Sequence, residues 1–187
     1  MTSKRGEIKD VQPIRDLAKL EDMKWALQRF CGDRDYIMFL MGINAGLRVG
    51  DLLQLKVKGV RGKKEIKLKE GKTKKPRTVS LYNIYDEVNT YIDTLEGAEW
   101  LFPSRKGDQP ISRVQAYRQL HKAAKMAEVD GVGTHTMRKT FGYWHYKQFK
   151  DIAELQEILN HSHPEITKRY IGITQEQIAN NLKNFAL

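Results

Sequence analysis

The chain contains little cysteine and no long apolar run, and each shortage excludes a class of protein. Cys31 is the single cysteine among 187 residues, so an internal disulfide framework is excluded and Cys31 is interpreted as inert packing. The sequence lacks both an amphipathic basic anchor and a run of about 20 apolar residues, so no membrane partner is expected. Residues 1–6 are polar and form no secretory apolar region, which predicts a cytoplasmic protein.

The chain also has fewer acidic residues than basic ones. The sequence has 23 Asp and Glu against 33 Lys and Arg, which is a formal net charge of +10 at pH 7. This excess favours a polyanionic partner, most simply a nucleic acid. Hydrophobic residues make up 40% of the chain and charged residues 30%, a balance typical of a globular protein. At this length we expect one compact domain with a substantial core.

Apolar residues recur at helical spacing through most of the chain and predict a mainly α-helical α+β fold. Residues 36–45 are apolar nearly all round, so we expect a buried helix that ends at Gly46. Residues 57–80 change to short alternating segments, which predict a small antiparallel sheet of about three strands. Residues 1–13 are interpreted as a flexible basic arm or a linker remnant, which leaves residues 14–187 as the domain.

The segment 134–170 contains the most informative side chains, those of His135, Arg138, His161 and Tyr170. Thr134 is predicted to cap a helix that places the first two of these residues on one face. A guanidinium grips phosphate through its planar fork, and an imidazole binds phosphate oxygen or moves a proton near neutral pH. A phenol can act as a covalent nucleophile. Together these groups predict phosphoryl transfer without a metal or other cofactor.

Two other interpretations of the same residues stay open. Taken singly, each is more often structural, as a helix cap, an ion-pair partner or a half-buried ring. A metal site formed by His161 and His163 with His135 or His145 is the second alternative. Two histidines spaced in this way, with no cysteine or carboxylate cluster at ligand spacing, are a weak metal-binding pattern.

Arg48 begins a short predicted helix directly after the buried one. A charge at such a place is costly unless it is paired or faces a ligand. Asp51, three residues further on, either orients the Arg48 guanidinium or forms a simple surface pair with it.

The segment 61–77 is the most basic part of the chain, with nine Lys or Arg against two Glu and a net charge of +7. Phosphate contacts are the natural use of such a density of positive charge. Residues 70–77 predict a turn that presents Lys72. We assign contacts with nucleic acid to the surrounding basic residues, which are Lys63, Lys64, Lys67, Lys69, Lys74, Lys75 and Arg77.

With these residues in place, the sequence resembles the catalytic domain of a tyrosine recombinase, the phage integrase family, from about Val11 to its end. Four blocks carry the resemblance: residues 45–52, the Lys72 turn, residues 135–141 and residues 159–170. Their order and separations match the family. The chain departs from the family's usual choices at four positions that are not catalytic: Met137, Lys139, Asn160 and His163.

The resemblance implies a site-specific recombinase that cleaves and rejoins duplex DNA through a 3′-phosphotyrosyl intermediate. The implied catalytic residues are Arg48, Lys72, His135, Arg138, His161 and the nucleophile Tyr170, with Asp51 in support. Double-stranded DNA is the implied partner, bound by a homo-oligomer, a tetramer, that forms on DNA from free monomers. The N-terminal domain with which most relatives clamp DNA is not found in this sequence.

The alternatives are a DNA-binding accessory protein of the same fold that does not cut, a type IB topoisomerase-like enzyme that relaxes DNA, and an RNA-processing enzyme. Strand cleavage would separate the first alternative from a recombinase. Relaxation without exchange between two sites would favour the second, and cleavage that depends on a 2′-hydroxyl would favour the third.

Overall fold

The structure is a computed structural model that describes residues 11–172 together with residues 182 and 183. Residues 1–10 of the predicted arm lie outside this part, as does most of a last helix predicted over residues 175–185. None of the helices in the described ranges is long and apolar enough to cross a bilayer. The mainly helical α+β fold is confirmed.

The elements follow one another in this order. The helices before the sheet are α1 (Leu17–Phe30), α2 (Asp33–Ala45), α3 (Val49–Leu52) and α4 (Val57–Val60). The strands are β1 (Glu65–Lys69) and β2 (Pro76–Ser80), followed by a 3₁₀ turn (Tyr82–Ile84) and α5 (Tyr85–Asp93). The remaining described helices are α6 (Arg113–Met126), α7 (Thr136–Phe149), α8 (Ile152–Leu159) and α9 (Pro164–Ile171).

Helix α2 forms the centre of the larger core, as its apolar sequence predicts. All residues from Ile37 to Met41 are buried, and helices α1, α5, α6 and α7 pack around them. A helix that is hydrophobic on all sides is stable only where protein covers every side. Gly46 ends α2 in the left-handed conformation with φ 58°.

Substituting Gly46 with Ala is expected to destabilise the fold by about 2–4 kcal/mol, from left-handed strain and overpacking together. A Cβ atom at this position would lie 2.4 Å from the Phe141 ring. Gly62 has a similar φ of 69° but nothing within 4 Å of the added atom, so Gly62→Ala measures the backbone strain alone. Urea unfolding of both variants checks the prediction, and equal losses in the two would contradict it.

The sheet has two strands in the described residues, whereas about three were expected. Strands β1 and β2 pair antiparallel, with Ile66 opposite Val79. The expected first strand is helix α4 instead. Val57 and Val60 are three positions apart and are both buried, which is the spacing of a helical face and not of a strand.

Helices α7, α8 and α9 enclose a second, smaller core. Its buried residues are Leu155, Leu159 and Ile171, and Tyr170 packs at its edge. Gly142 on α7 permits this packing, because a Cβ atom there would lie 2.8 Å from the Ile171 side chain. The small core therefore holds the helix that carries Tyr170 against α7.

Candidate active site

Tyr170 lies beside both histidines of the predicted set. Its hydroxyl oxygen is 3.1 Å from Nδ1 of His135, and its ring centroid is 5.1 Å from that of His161. Helix α7 begins at Thr136, so His135 itself is the N-cap residue, one position later than predicted. The fold thus brings residues from α7, the α8–α9 turn and α9 to one point.

The protonation states of this group suit proton transfer from Tyr170 to His135. Burial raises the pKa of Tyr170, although the charges of Arg138 and Arg48 oppose the rise. The pKa of His135 is lowered by loss of water contacts and then by the Arg138 charge. Near pH 7 the phenol is therefore protonated and the imidazole is neutral, so the imidazole is able to accept the proton.

His161 is held in place by hydrogen bonds from α8 and α9. Its Nδ1 lies 2.9 Å from the hydroxyl of Thr167, a residue that is fully buried, and its backbone amide donates to the Gln156 carbonyl at 3.0 Å. With the Thr167 hydroxyl as donor, the ring proton lies on Nε2, which remains available as a donor. Burial, followed by the charges of Arg138 and Arg48, lowers the pKa of His161 to about 4.

The free energy of unfolding is expected to fall between pH 6.5 and 4, in part because of His161. Its pKa moves from 6.5 to about 4 on folding, so the unfolded state takes up the proton first and acid favours unfolding. The stabilisation is complete above pH 6.5 and is lost toward pH 4. We expect His161→Gln to flatten this dependence in urea unfolding. Equal slopes for wild type and His161→Gln would contradict the prediction.

Arg138 is the most deeply buried of the predicted catalytic residues, with 2% of its surface exposed. Its Nη1 donates to the Gly46 carbonyl at 2.8 Å, and its Nη2 donates to the Leu159 carbonyl. Gly46 lies at the C-terminal end of α2, where helix carbonyls lack partners and the helix dipole favours a cation. Burial lowers the pKa of Arg138 to about 10, which still leaves the guanidinium charged near neutral pH.

Glu70, which is not among the predicted site residues, lies at the centre of the site. Its side chain is fully buried, and its Oε2 accepts hydrogen bonds from Arg48 Nη1 and from Thr73 Oγ1, both at 2.7 Å. Its Oε1 lies 3.7 Å from Arg138 Nη1. The Asn160 amide also donates to Oε2, at 3.3 Å. One carboxylate therefore contacts all four sequence blocks.

Asp51 makes the expected contact with Arg48 and a second contact with the Lys72 turn. Its Oδ2 lies 4.0 Å from Arg48 Nη1, so Glu70 is the nearer carboxylate. Its Oδ1 accepts a hydrogen bond from the Gly71 amide at 2.8 Å. Asp51 thus fastens the turn in which Lys72 lies exposed.

Arg77 differs from the lysines of the predicted DNA-contacting set, because its side chain is only 8% exposed. Its guanidinium donates to the Ala45 carbonyl at 2.6 Å and to the Gly46 carbonyl at 3.1 Å. In β2 it faces inward opposite Leu68, so its burial does not support DNA contact and the assignment stays a prediction. The other members are all exposed: Lys63, Lys64, Lys67, Lys69, Lys74 and Lys75.

The alternative of a metal site receives no support from the geometry. Within the described ranges, no group of three or more His, Cys, Asp and Glu side chains is arranged to hold a metal ion.

Comparison with known proteins identifies one family. The model of the phage integrase family matches residues 20–177. The probable integrase/recombinase YoeC of Bacillus subtilis is 48% identical over 167 residues, which cover 89% of this chain and 92% of YoeC. Tyrosine recombinase XerD of Staphylococcus saprophyticus is 27% identical, and the match covers 96% of this chain and 63% of XerD.

Among solved structures, the XerH site-specific recombinase bound to palindromic difH substrate in a post-cleavage complex aligns with a TM-score of 0.71. Identity is 18%, so this likeness shows the shared fold alone, over 94% of this chain. The chain spans about half the length of XerH, 53% of that protein.

Proposed function

Because this chain belongs to the phage integrase family, we propose that it is a tyrosine-type site-specific recombinase that cleaves and rejoins duplex DNA. The observation that carries the proposal is the position of the Tyr170 hydroxyl, 3.1 Å from His135 and close to the charges of Arg138 and Arg48. A nucleophile beside a base and cationic groups is the arrangement that phosphoryl transfer requires. The likeness to XerH bound to palindromic difH substrate supports DNA as the partner.

In the proposed first step, Tyr170 Oη attacks phosphorus while the bond to the 5′ oxygen breaks. The products are a 3′-phosphotyrosine and a free 5′-hydroxyl. His135 Nδ1 receives the phenolic proton, and Lys72 protonates the departing oxygen. Attack by the 5′-hydroxyl of another strand reverses these events and joins two strands. The phosphotyrosine keeps the bond energy, so the exchange needs no ATP.

Arg48, Arg138 and His161 are the groups proposed to stabilise the charge on the non-bridging oxygens. Arg48 and Arg138 are held by a carboxylate and by backbone carbonyls, and His161 is held by Thr167. Donors fixed in this way need little reorganisation when charge develops, and each contributes about 10²–10³-fold in rate.

The exposed lysines of β1 are proposed to bind phosphates along the duplex. Replacing both Lys67 and Lys69 with Gln is expected to lower the slope of log affinity against log salt by about 1.8, because each phosphate contact accounts for about 0.9. The control pair is Lys19→Gln with Lys24→Gln on α1, where both lysines already have acidic partners. Fluorescence anisotropy at several salt concentrations measures the slope. A slope that both pairs leave unchanged would remove β1 from the DNA interface.

Strand exchange joins two DNA sites and therefore needs more than one protomer. We propose that the chain is monomeric when free and assembles as a homotetramer on DNA. Analytical ultracentrifugation with and without DNA tests this assembly, and a protein that stays monomeric on DNA would contradict it.

The proposed function is tested by trapping the intermediate. The protein is incubated with nicked and supercoiled DNA in EDTA, denatured with detergent and digested, and the adduct is mapped by mass spectrometry. A phosphodiester adduct on Tyr170 is expected. Tight, salt-sensitive binding without an adduct, even on DNA from the source of the chain, would identify a non-cutting binder. Relaxation of DNA without exchange between two sites would identify a topoisomerase-like activity.

A further inference from the structure

We infer that Glu70 is a positioning residue for strand cleavage, whose carboxylate holds Arg48 and Arg138 in register with the Lys72 turn and the Asn160–His161 turn. The inference rests on the proposed function, because it concerns the same site. It differs from the roles implied by the resemblance, which assign nothing to Glu70.

The first support is the contact of the Glu70 carboxylate with the guanidinium groups of Arg48 and Arg138. Arg48 donates through Nη1 to Oε2 at 2.7 Å, and Nη1 of Arg138 lies 3.7 Å from Oε1. An Arg side chain has five N–H donors in a rigid planar fork. Fixing one edge of the fork therefore fixes the direction of the remaining donors.

The second support is the connection from Glu70 to the turn that presents Lys72. The Thr73 hydroxyl donates to Oε2 at 2.7 Å, and the Lys74 amide donates to the Glu70 carbonyl at 2.9 Å. The Glu70 amide in turn donates to the Lys75 carbonyl at 3.0 Å. Both the backbone and the side chain of Glu70 thus set the conformation of this turn.

The third support is Asn160, one of the departures from the family pattern. It adopts the left-handed conformation at the end of α8, with φ 55°, and its amide donates to Glu70 Oε2 at 3.3 Å. Glycine would accept the same backbone conformation but provide no donor. The Asn160 side chain therefore links the turn that carries His161 to the Glu70 carboxylate.

The charges at this point favour an ionised carboxylate. Burial opposes ionisation of Glu70, but hydrogen bonds from Thr73 and Arg48 and the charges of Arg48 and Arg138 outweigh it, so the pKa of Glu70 lies below its usual range. Arg77 adds a third guanidinium, 3.5 Å from Oε1. Without the carboxylate, three positive groups would lie close together with little water to screen them.

The test compares Glu70→Gln with wild type in two measurements, the rate of adduct formation and the affinity for DNA. We expect the rate to fall by about 10- to 100-fold, as for catalytic groups displaced by about an ångström. We expect DNA to bind as tightly as before or more tightly, because a negative charge near the phosphate is removed. Glu70→Asp, which keeps the charge on a shorter side chain, should recover part of the rate. A general loss of structure would weaken both binding and rate and would give no rescue.

Asn160→Gly provides a second variant that keeps the backbone relaxed. We expect it to slow adduct formation about 3- to 10-fold in the wild-type background and to have no further effect when Glu70 is Gln, since coupled residues are not additive. Lys150→Gly is the matched control, because Lys150 ends α7 with a similar φ of 58° and has no contact with Glu70. Equal effects of Asn160→Gly in both backgrounds would overturn the link.

The outcomes separate this inference from the proposed function. A wild-type protein that forms no adduct on its own DNA counts against the function itself. A wild-type protein that forms the adduct, with Glu70→Gln reacting at the same rate, overturns the positioning role alone. If Glu70→Gln does not fold, the comparison of Asn160→Gly with Lys150→Gly decides the matter, and equal rates for these two would overturn the inference.

Discussion

Tyr170→Phe is expected to abolish the covalent protein–DNA product, with a loss of more than about 10³-fold, because the nucleophilic oxygen itself is removed. The ring of Tyr170 packs against the small core of α7, α8 and α9 and lies edge-on to His161. Phenylalanine keeps these contacts and removes only the hydroxyl. Urea unfolding and DNA affinity should therefore stay close to wild type, and gel analysis after detergent denaturation should show no adduct.

Tyr146→Phe is the matched control for this variant, because Tyr146 packs at the edge of the same small core. It should form the adduct at the wild-type rate. An adduct that persists in Tyr170→Phe and is lost in Tyr146→Phe would show that the nucleophile is Tyr146 and not Tyr170. An adduct that both variants retain would exclude each of these tyrosines.

Arg138→Lys is expected to have the second largest effect, lowering the rate of adduct formation by about 10²–10³-fold. It should also reduce the free energy of unfolding by about 1–3 kcal/mol, because a buried acceptor is left without its donor. The guanidinium reaches the Gly46 and Leu159 carbonyls with separate nitrogens. An ammonium is a single compact charge and does not reproduce this fork.

Arg29→Lys, at an exposed position on α1, controls for the exchange of the two residue types. It should change neither urea unfolding nor adduct formation. An Arg138→Lys variant that is as stable as wild type would contradict the structural part of the prediction, whatever its catalytic rate. A variant that is less stable but reacts at the wild-type rate would remove Arg138 from the charge-stabilising set.

Sequence patterns alone predicted the elements whose signals are local. The buried helix over residues 36–45 and its end at Gly46 follow from continuous apolar character and one glycine, and the structure confirms both. The set of reactive residues follows from their types and their spacing within blocks. The structure places His135, His161 and Tyr170 together, as the resemblance to the family implied.

In the basic segment 61–77, the number of charges does not predict which side chains are exposed. Its positive charge suggested one exposed surface, but strand alternation divides the segment into two faces. Leu68 and Glu70 are two apart and both point inward, and Arg77 lies opposite Leu68 on the same face. Alternation applied to residues 65–80 would have indicated that Glu70 and Arg77 are inside.

By itself, the sequence determined the family, the order of the reactive groups and the helices that carry them, because these depend on residue type and short-range spacing. Only the tertiary structure decided which charges are buried and with whom they pair. Glu70 meets Arg48 and Arg138 across chain separations that no local periodicity spans. The free energy of a buried charge depends on the dielectric surroundings and partners supplied by those distant segments.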